Sequence, residues 1–177
     1  TLHSGTALSF DGTNDYVTGD DSSLPTGADE RSISFWMKPD AIPDAWGSMV
    51  SYGTGVANNG LNIGWDNTNA NIVLGKYGGN ADATNTTTIT MGQWHHIVVN
   101  FDGSSTITYY LNGEADGTAT LSGIDTVLDT YRIGDAVWGS QYFDGLISNV
   151  KVFNSALTES EIQEMYLNPE QILPTGV

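Results

Sequence analysis

The feature that most constrains this chain is its rhythm. Short apolar segments recur every 8–12 residues, and each is closed by a turn rich in Gly, Asn or Asp. "SISFWMKP" alternates with Ile33, Phe35 and Met37 on one face and stops at Pro39. "SMVSYG", "GLNIGWD" and "NIVLGKYGG" are three more short strands. "QWHHIVVNF" and "STITYYLNG" flank Asp102-Gly103-Ser104 as a hairpin, and Asn112-Gly113 marks the next turn. "TALSFDGTNDYVTG" reads as two short strands across a turn, and "TYRIGD" and "GLISNVKVF" complete the set. About a dozen short strands in a chain of 177 residues predict an all-β jelly-roll sandwich of two antiparallel sheets. The 21 glycines fit that turn-rich reading.

One segment breaks the pattern. In "ALTESEIQEMYLNPE", Thr158 and Glu161 form a capping box, and Leu157 and Ile162 stand at the staple positions. Ile162, Met165 and Tyr166 make one apolar stripe, so a short C-terminal helix is expected, stopped before Pro169. Residues 1–168 are expected to form one domain and residues 169–177 a tail or linker. The abrupt opening "TLHSGTALSF" suggests a processed or excised domain.

Charge narrows the partners. With 21 acidic and 5 basic residues the net charge is −16, which repels phosphate backbones and anionic membranes. Nucleic acid is therefore not an expected partner, and no apolar run is long enough for membrane insertion. The absence of cysteine removes disulfides, thiolate metal sites and cysteine nucleophiles together.

The order of motifs resembles the laminin-G-like jelly roll of the concanavalin A-like lectin/glucanase superfamily. The residues that carry the resemblance are "ALSFDGTNDYV", "SISFWMKP", "GQWHHIVVNFDG…ITYYLNGE", "YRIGD" and "FDGLISNVKVFNSALTESEIQEMY", from Ala7 to Tyr166. The fold implied hosts lectins, glucanases, adhesion modules and structural domains. The family often carries an acidic residue where Ser148 stands here.

Phe-Asp-Gly occurs three times, at residues 10–12, 101–103 and 143–145. The middle copy turns a hairpin. The resemblance makes the terminal strands neighbours, so Asp11 and Asp144 are expected to approach one another. Two readings follow. A structural Ca²⁺, which the resemblance also implies, would take Asp11, Asn14, Asp15 and Asp144 as ligands. Alternatively, the aspartates cap tight turns through Asx hydrogen bonds.

Glucanases of the resembling superfamily use a Glu-x-Asp-x-x-Glu strand, with the carboxylates set across a cleft. None of the six glutamates here lies in that pattern, so no catalytic residue is expected and the chain reads as a non-enzyme. His95 and His96 alternate across a strand, one expected packed and the other exposed or edge-bonded. Trp36 and Trp94 sit in strands and read as packing residues.

Trp46, Trp65 and Trp138 sit in or beside polar loops, where an aromatic ring and neighbouring amides suit a sugar. With them, Tyr52, Asn58, Asn59, Asp135, Gln141 and Tyr142 are the candidate ligand residues; the alternative is loops packed on themselves or on a neighbouring subunit. The expected function is a non-catalytic carbohydrate-binding or adhesion module of an exported, cell-surface or virion protein, with a glycan or polysaccharide as partner. The alternative is a structural or decoration domain that binds only protein neighbours.

Overall fold

A computed structural model describes residues 5–41, 46–65, 70–78 and 83–169. The strands are β1 (Leu8–Asp11), β2 (Val17–Gly19), β3 (Arg31–Pro39), β4 (Ser48–Gly53), β5 (Gly60–Trp65), β6 (Ile72–Lys76), β7 (Ala83–Thr84), β8 (His95–Phe101), β9 (Thr106–Leu111), β10 (Glu114–Thr120), β11 (Thr130–Ile133) and β12 (Asp144–Phe153), followed by helix α1 (Glu159–Leu167). They form two antiparallel six-stranded sheets, ordered β1-β12-β3-β8-β9-β10 and β2-β11-β4-β5-β6-β7. This is the expected jelly-roll sandwich.

Alternation decides which residues meet between the sheets. Ile33, Phe35 and Met37 of β3, Ile97 and Val99 of β8, and Leu61, Ile63 and Trp65 of β5 share one core. Phe10, Phe101 and Phe143 join it, at 3, 1 and 0 % exposure. The Gly of each Phe-Asp-Gly has positive φ (72°, 78° and 136°); the first two copies bury a ring and then turn, whereas Gly145 lies inside β12, paired with Phe10 and Pro39.

The other face of β3 is covered too. Helix α1 lays Ile162 and Met165 against Val98, Tyr110 and Leu157. Trp36 stacks on Tyr166 with centroids 5.7 Å apart, as expected for a packing tryptophan. The capping box forms as its residue spacing indicates: Glu161 N–H donates to Thr158 Oγ1, and Thr158 N–H donates to Glu161 Oε2. His95 and His96 are both buried, so neither is exposed: His96 is packed under α1, and His95 is the bonded one, its Nε2 on the Thr90 carbonyl at 2.9 Å. A covered outer face leaves neither side of β8 in water.

Two arrangements differ from a simple sequence reading. β1 and β2 flank their turn but do not pair; β1 pairs with β12 and β2 with β11, so the turn carries the chain between sheets. Asn85, within a formal glycosylation sequon, is 5 % exposed. Its amide donates to Asp116 Oδ2 and the Thr87 carbonyl and accepts from Ile72 N–H, so it serves as a structural tie.

Candidate functional site

The outward face of the second sheet carries a groove of about 280 Å³. Its floor follows from alternation. Leu61, Ile63 and Trp65 point inward, so Asn62 points out; Ile72 and Leu74 point inward, so Val73 and Gly75 point out. Its walls are Trp46, Tyr77 and Gly78 after β6, and Trp138 and Gln141 from the connection between β11 and β12.

Backbone contacts fix these walls. The Tyr77 N–H donates to Gly60 O at 3.0 Å, and the Tyr77 carbonyl accepts from Asn58 N–H at 2.8 Å. The Trp138 ring rests on Gly60, where a Cβ would come within 2.8 Å of Cζ3. Tyr77 and Trp138 meet at 5.1 Å between centroids and 46° between planes, forming an aromatic corner. Asp135, fully buried, pairs with Arg132 and accepts from Gln141 N–H at 2.9 Å. It thus holds the loop that presents Trp138 and Gln141.

The polar inventory of the groove is small. Asn62 Oδ1 accepts from Ser48 Oγ at 2.5 Å. The Gln141 Oε1 atom is buried and has no hydrogen-bond partner. Lys76 borders the groove through its strand only: it is the register partner of inward-facing Leu61, and its Nζ donates away from the groove to the carbonyls of Ser122 and Gly123 at 2.7 and 3.3 Å. No carboxylate is among the described lining residues.

Of the nine candidate ligand residues, the groove brings together Trp46, Trp138 and Gln141. Trp65 is a correction: it ends β5 in phase with Leu61 and Ile63, is 0 % exposed and stacks on Phe143 at 6.5 Å. Tyr52 is a second, at 1 % exposure, with its hydroxyl accepting from Arg31 Nη1 at 2.7 Å. Burial pushes the Tyr52 phenol up, against the pull of the Arg31 guanidinium. Asp135 is a third, since its carboxylate is spent inside the loop. Asn58 and Asn59 lie in the turn between β4 and β5, where the Asn58 N–H donates to the Tyr77 carbonyl, and Tyr142 is half-buried outside the groove lining. Sequence reasoning missed Asn62 and Tyr77. Asn62 was legible as the outward residue between Leu61 and Ile63; Tyr77 follows its strand and carries no local signal.

In the first sheet, Asp11 and Asp144 are direct cross-strand partners in the β1–β12 pair, so their side chains share a face. Asp11 Oδ1 accepts from Thr13 N–H at 2.9 Å, and Asp15 Oδ2 accepts from Asp11 N–H at 3.2 Å. These are the Asx bonds of the second reading. Among the described residues no group of three or more His, Asp or Glu comes together in a set that could hold a metal ion. A cation there would rely on two facing carboxylates, completed by amide or carbonyl oxygens and water.

The model of the concanavalin A-like lectin/glucanases superfamily matches residues 11–163. The adhesion G-protein coupled receptor V1 of Danio rerio is 26 % identical over 147 residues, which are 78 % of this chain and 2 % of that receptor. The chain thus corresponds to a small fraction of that relative. Among solved structures, domain 4 of AbnA, a GH43 extracellular arabinanase of Geobacillus stearothermophilus in complex with arabinotriose, has a TM-score of 0.64 at 20 % identity, covering 91 % of this chain and 87 % of that one. The CBM40 of the Ruminococcus gnavus IT-sialidase, bound to α2,3-sialyllactose, has a TM-score of 0.68 at 13 % identity, covering 93 % and 98 %. The fold is shared with both, and the chain belongs to the concanavalin A-like lectin/glucanase superfamily.

Proposed function

We propose that this domain is a non-catalytic carbohydrate-binding or adhesion module of a larger exported, cell-surface or virion protein. The observation that carries the reading is the outer-face groove, where aromatic rings from Trp46, Tyr77 and Trp138 stand beside the Asn62 and Gln141 amides. A sugar offers C–H faces to the rings and hydroxyls to the amides. The sugars in the titles of the two structural neighbours lend support. The non-catalytic part rests on the glutamates: Glu161 caps α1, Glu30 accepts from Ala156 N–H, and Glu164 accepts from Asn168. Trp138→Ala is expected to weaken glycan binding at least tenfold while the melting temperature stays within a few degrees. Unchanged binding would remove the groove from the account.

Calcium belongs to the same proposal. Like charges directly opposite one another in a β-ladder destabilise it, and a cation between Asp11 and Asp144 would relieve that repulsion. Calcium should then raise the melting temperature relative to EDTA, and Asp144→Asn should abolish the rise. Equal melting in both buffers would leave the Asx bonds as the whole explanation.

A second reading, an assembly domain that binds only protein neighbours, is favoured by a different surface. Cavities of about 260 and 420 Å³ adjoin β12 and share Ile133 and Val150. Beyond Ile147, β12 has no strand partner on its β1 side among the described residues, and Leu8 is exposed there. Melting that depends on protein concentration, with no glycan bound, would favour this reading.

A further inference from the structure

All five lysines and arginines of the chain lie among the described residues, and none brings a positive charge to the groove. Arg31 is buried, its guanidinium spent on carbonyls and hydroxyls. Lys38 follows inward-facing Met37, and Lys151 lies between the core-packed Val150 and Val152, so both stand on the outer face of the first sheet. Across a sandwich whose sheets pack about 10 Å apart, they lie further from the groove than the Debye length of about 8 Å. Lys76 shares the inward side of its ladder with Leu61, and its Nζ is held by Ser122 O and Gly123 O. Arg132 does stand on the outward face of the second sheet, opposite Ser51, but Asp135 matches its charge and its guanidinium lies 4.5 Å over the Tyr16 ring. What the groove presents instead is rings and amides. Gly60, Asn62 and Gly64 alternate outward along β5. Trp138 and Tyr77 meet at its Gly60 end, while Trp46 stands at the other end, beside the Gly47 carbonyl that accepts from Trp65 N–H at 2.7 Å. Asn62 lies between these two walls.

We propose, resting on the glycan reading above, that the groove selects an uncharged sugar and excludes glycans whose contacting residue bears a carboxylate or sulfate. The faces of aromatic rings carry negative charge density, which attracts polarised C–H groups and repels an anion. A carboxylate or sulfate seated over Asn62 would give up water to rings and neutral amides, with no cation to compensate it. The hydroxyls of a neutral sugar cost far less to desolvate and are satisfied by amide and backbone groups. The net charge of −16 repels anionic glycans in the same sense, but through solvent and therefore only while salt is low. Selection inside the groove comes from desolvation, so it persists when the surface charge is screened.

The test uses matched pairs on one array: uronic-acid oligosaccharides against their methyl esters, sialylated against desialylated glycans, and sulfated against desulfated ones. Each pair is read at about 0.15 M salt and again at about 1 M, where the Debye length falls from about 8 to about 3 Å. In every pair that binds, the neutral member is expected to bind tenfold or more tightly than its acidic twin at both salt concentrations. Tyr77→Lys places a cation at an exposed position on the groove wall and should narrow that ratio at least threefold, with a melting curve confirming that the variant folds. The wild-type ratio decides even if the variant does not fold. Acidic twins that bind as well as neutral ones, or better, overturn the selection. A neutral preference that vanishes at high salt also overturns it, because surface charge alone would then discriminate. Both results leave the glycan reading intact. A ratio that folded Tyr77→Lys leaves unchanged removes the selection from this groove and overturns it too. Binding of no glycan at all overturns both the selection and the glycan reading.

Discussion

Arg31 shows what a single side chain can organise. It is 1 % exposed and has no carboxylate partner among the described residues. Its Nε donates to Asp29 O, its Nη1 to Pro25 O, Tyr52 Oη and Thr126 Oγ1, and its Nη2 to Thr26 O and Gly27 O. Only a planar fork of five donors can serve acceptors spread in this way. Arg31→Lys supplies three donors from one point and leaves buried carbonyls unmet, so it should cost about 3 kcal/mol in a denaturant titration. A loss below 0.5 kcal/mol would show that water replaces the guanidinium freely. His96 is the other buried titratable side chain with a large effect. Burial pushes its imidazole down to about 4, helped by the Lys151 ammonium. The ring lies 5.2 Å from Trp36 and 6.1 Å from Tyr166, and its Nε2 bonds Ser34 Oγ at 2.9 Å. A depressed folded pKa means that the unfolded chain takes up the proton first. The contribution is complete above the unfolded value of about 6.5 and is lost as pH falls towards about 4. The stability lost over that window is about 3 kcal/mol. His96→Gln should flatten the slope of stability against pH between 6.5 and 4. An unchanged slope would place the titration elsewhere.

At the scale of elements, turns and strand phase account for most of what the sequence makes legible. The capping box of α1 and the Asn112-Gly113 turn, with φ of 54° and 84°, form where their residue types demand. Asp102 does the same for the β8–β9 hairpin. Desolvation opposes its charge, but hydrogen bonds from Ser104 and Thr106 outweigh that and hold its carboxyl well below the usual range. Trp65 was misjudged for a reason of scale: a window of polar neighbours reads as a loop, whereas the period of two running back through Ile63 and Leu61 reads as core. Gly134 shows a constraint that no local pattern reveals. Its φ is +89°, and a Cβ there would lie 2.3 Å from the Phe10 ring, a contact between β1 and the end of β11. Gly134→Ala should therefore destabilise by about 3 kcal/mol, combining backbone strain with overpacking. Wild-type stability in that variant would mean that Phe10 moves without cost.

For the whole molecule, the sandwich and its closing β1–β12 pair were legible because they follow from many short alternating strands and from the family resemblance. The groove was legible only in part. Trp138 and Gln141 lie more than sixty residues along the chain from Tyr77 and Lys76, and only the sheet order brings them together. Loop composition singles out aromatic and amide residues but cannot tell a ring that walls a groove from one that fills the core. The groove is the central claim, and the most direct measurement of it is binding of the wild-type domain and Trp138→Ala to a broad glycan array, run in calcium and again in EDTA. The account predicts saturable binding by the wild type to at least one class of glycan, lost in Trp138→Ala although the variant still folds. A wild type that binds no glycan in either buffer, or a variant that binds as well as the wild type, would contradict it.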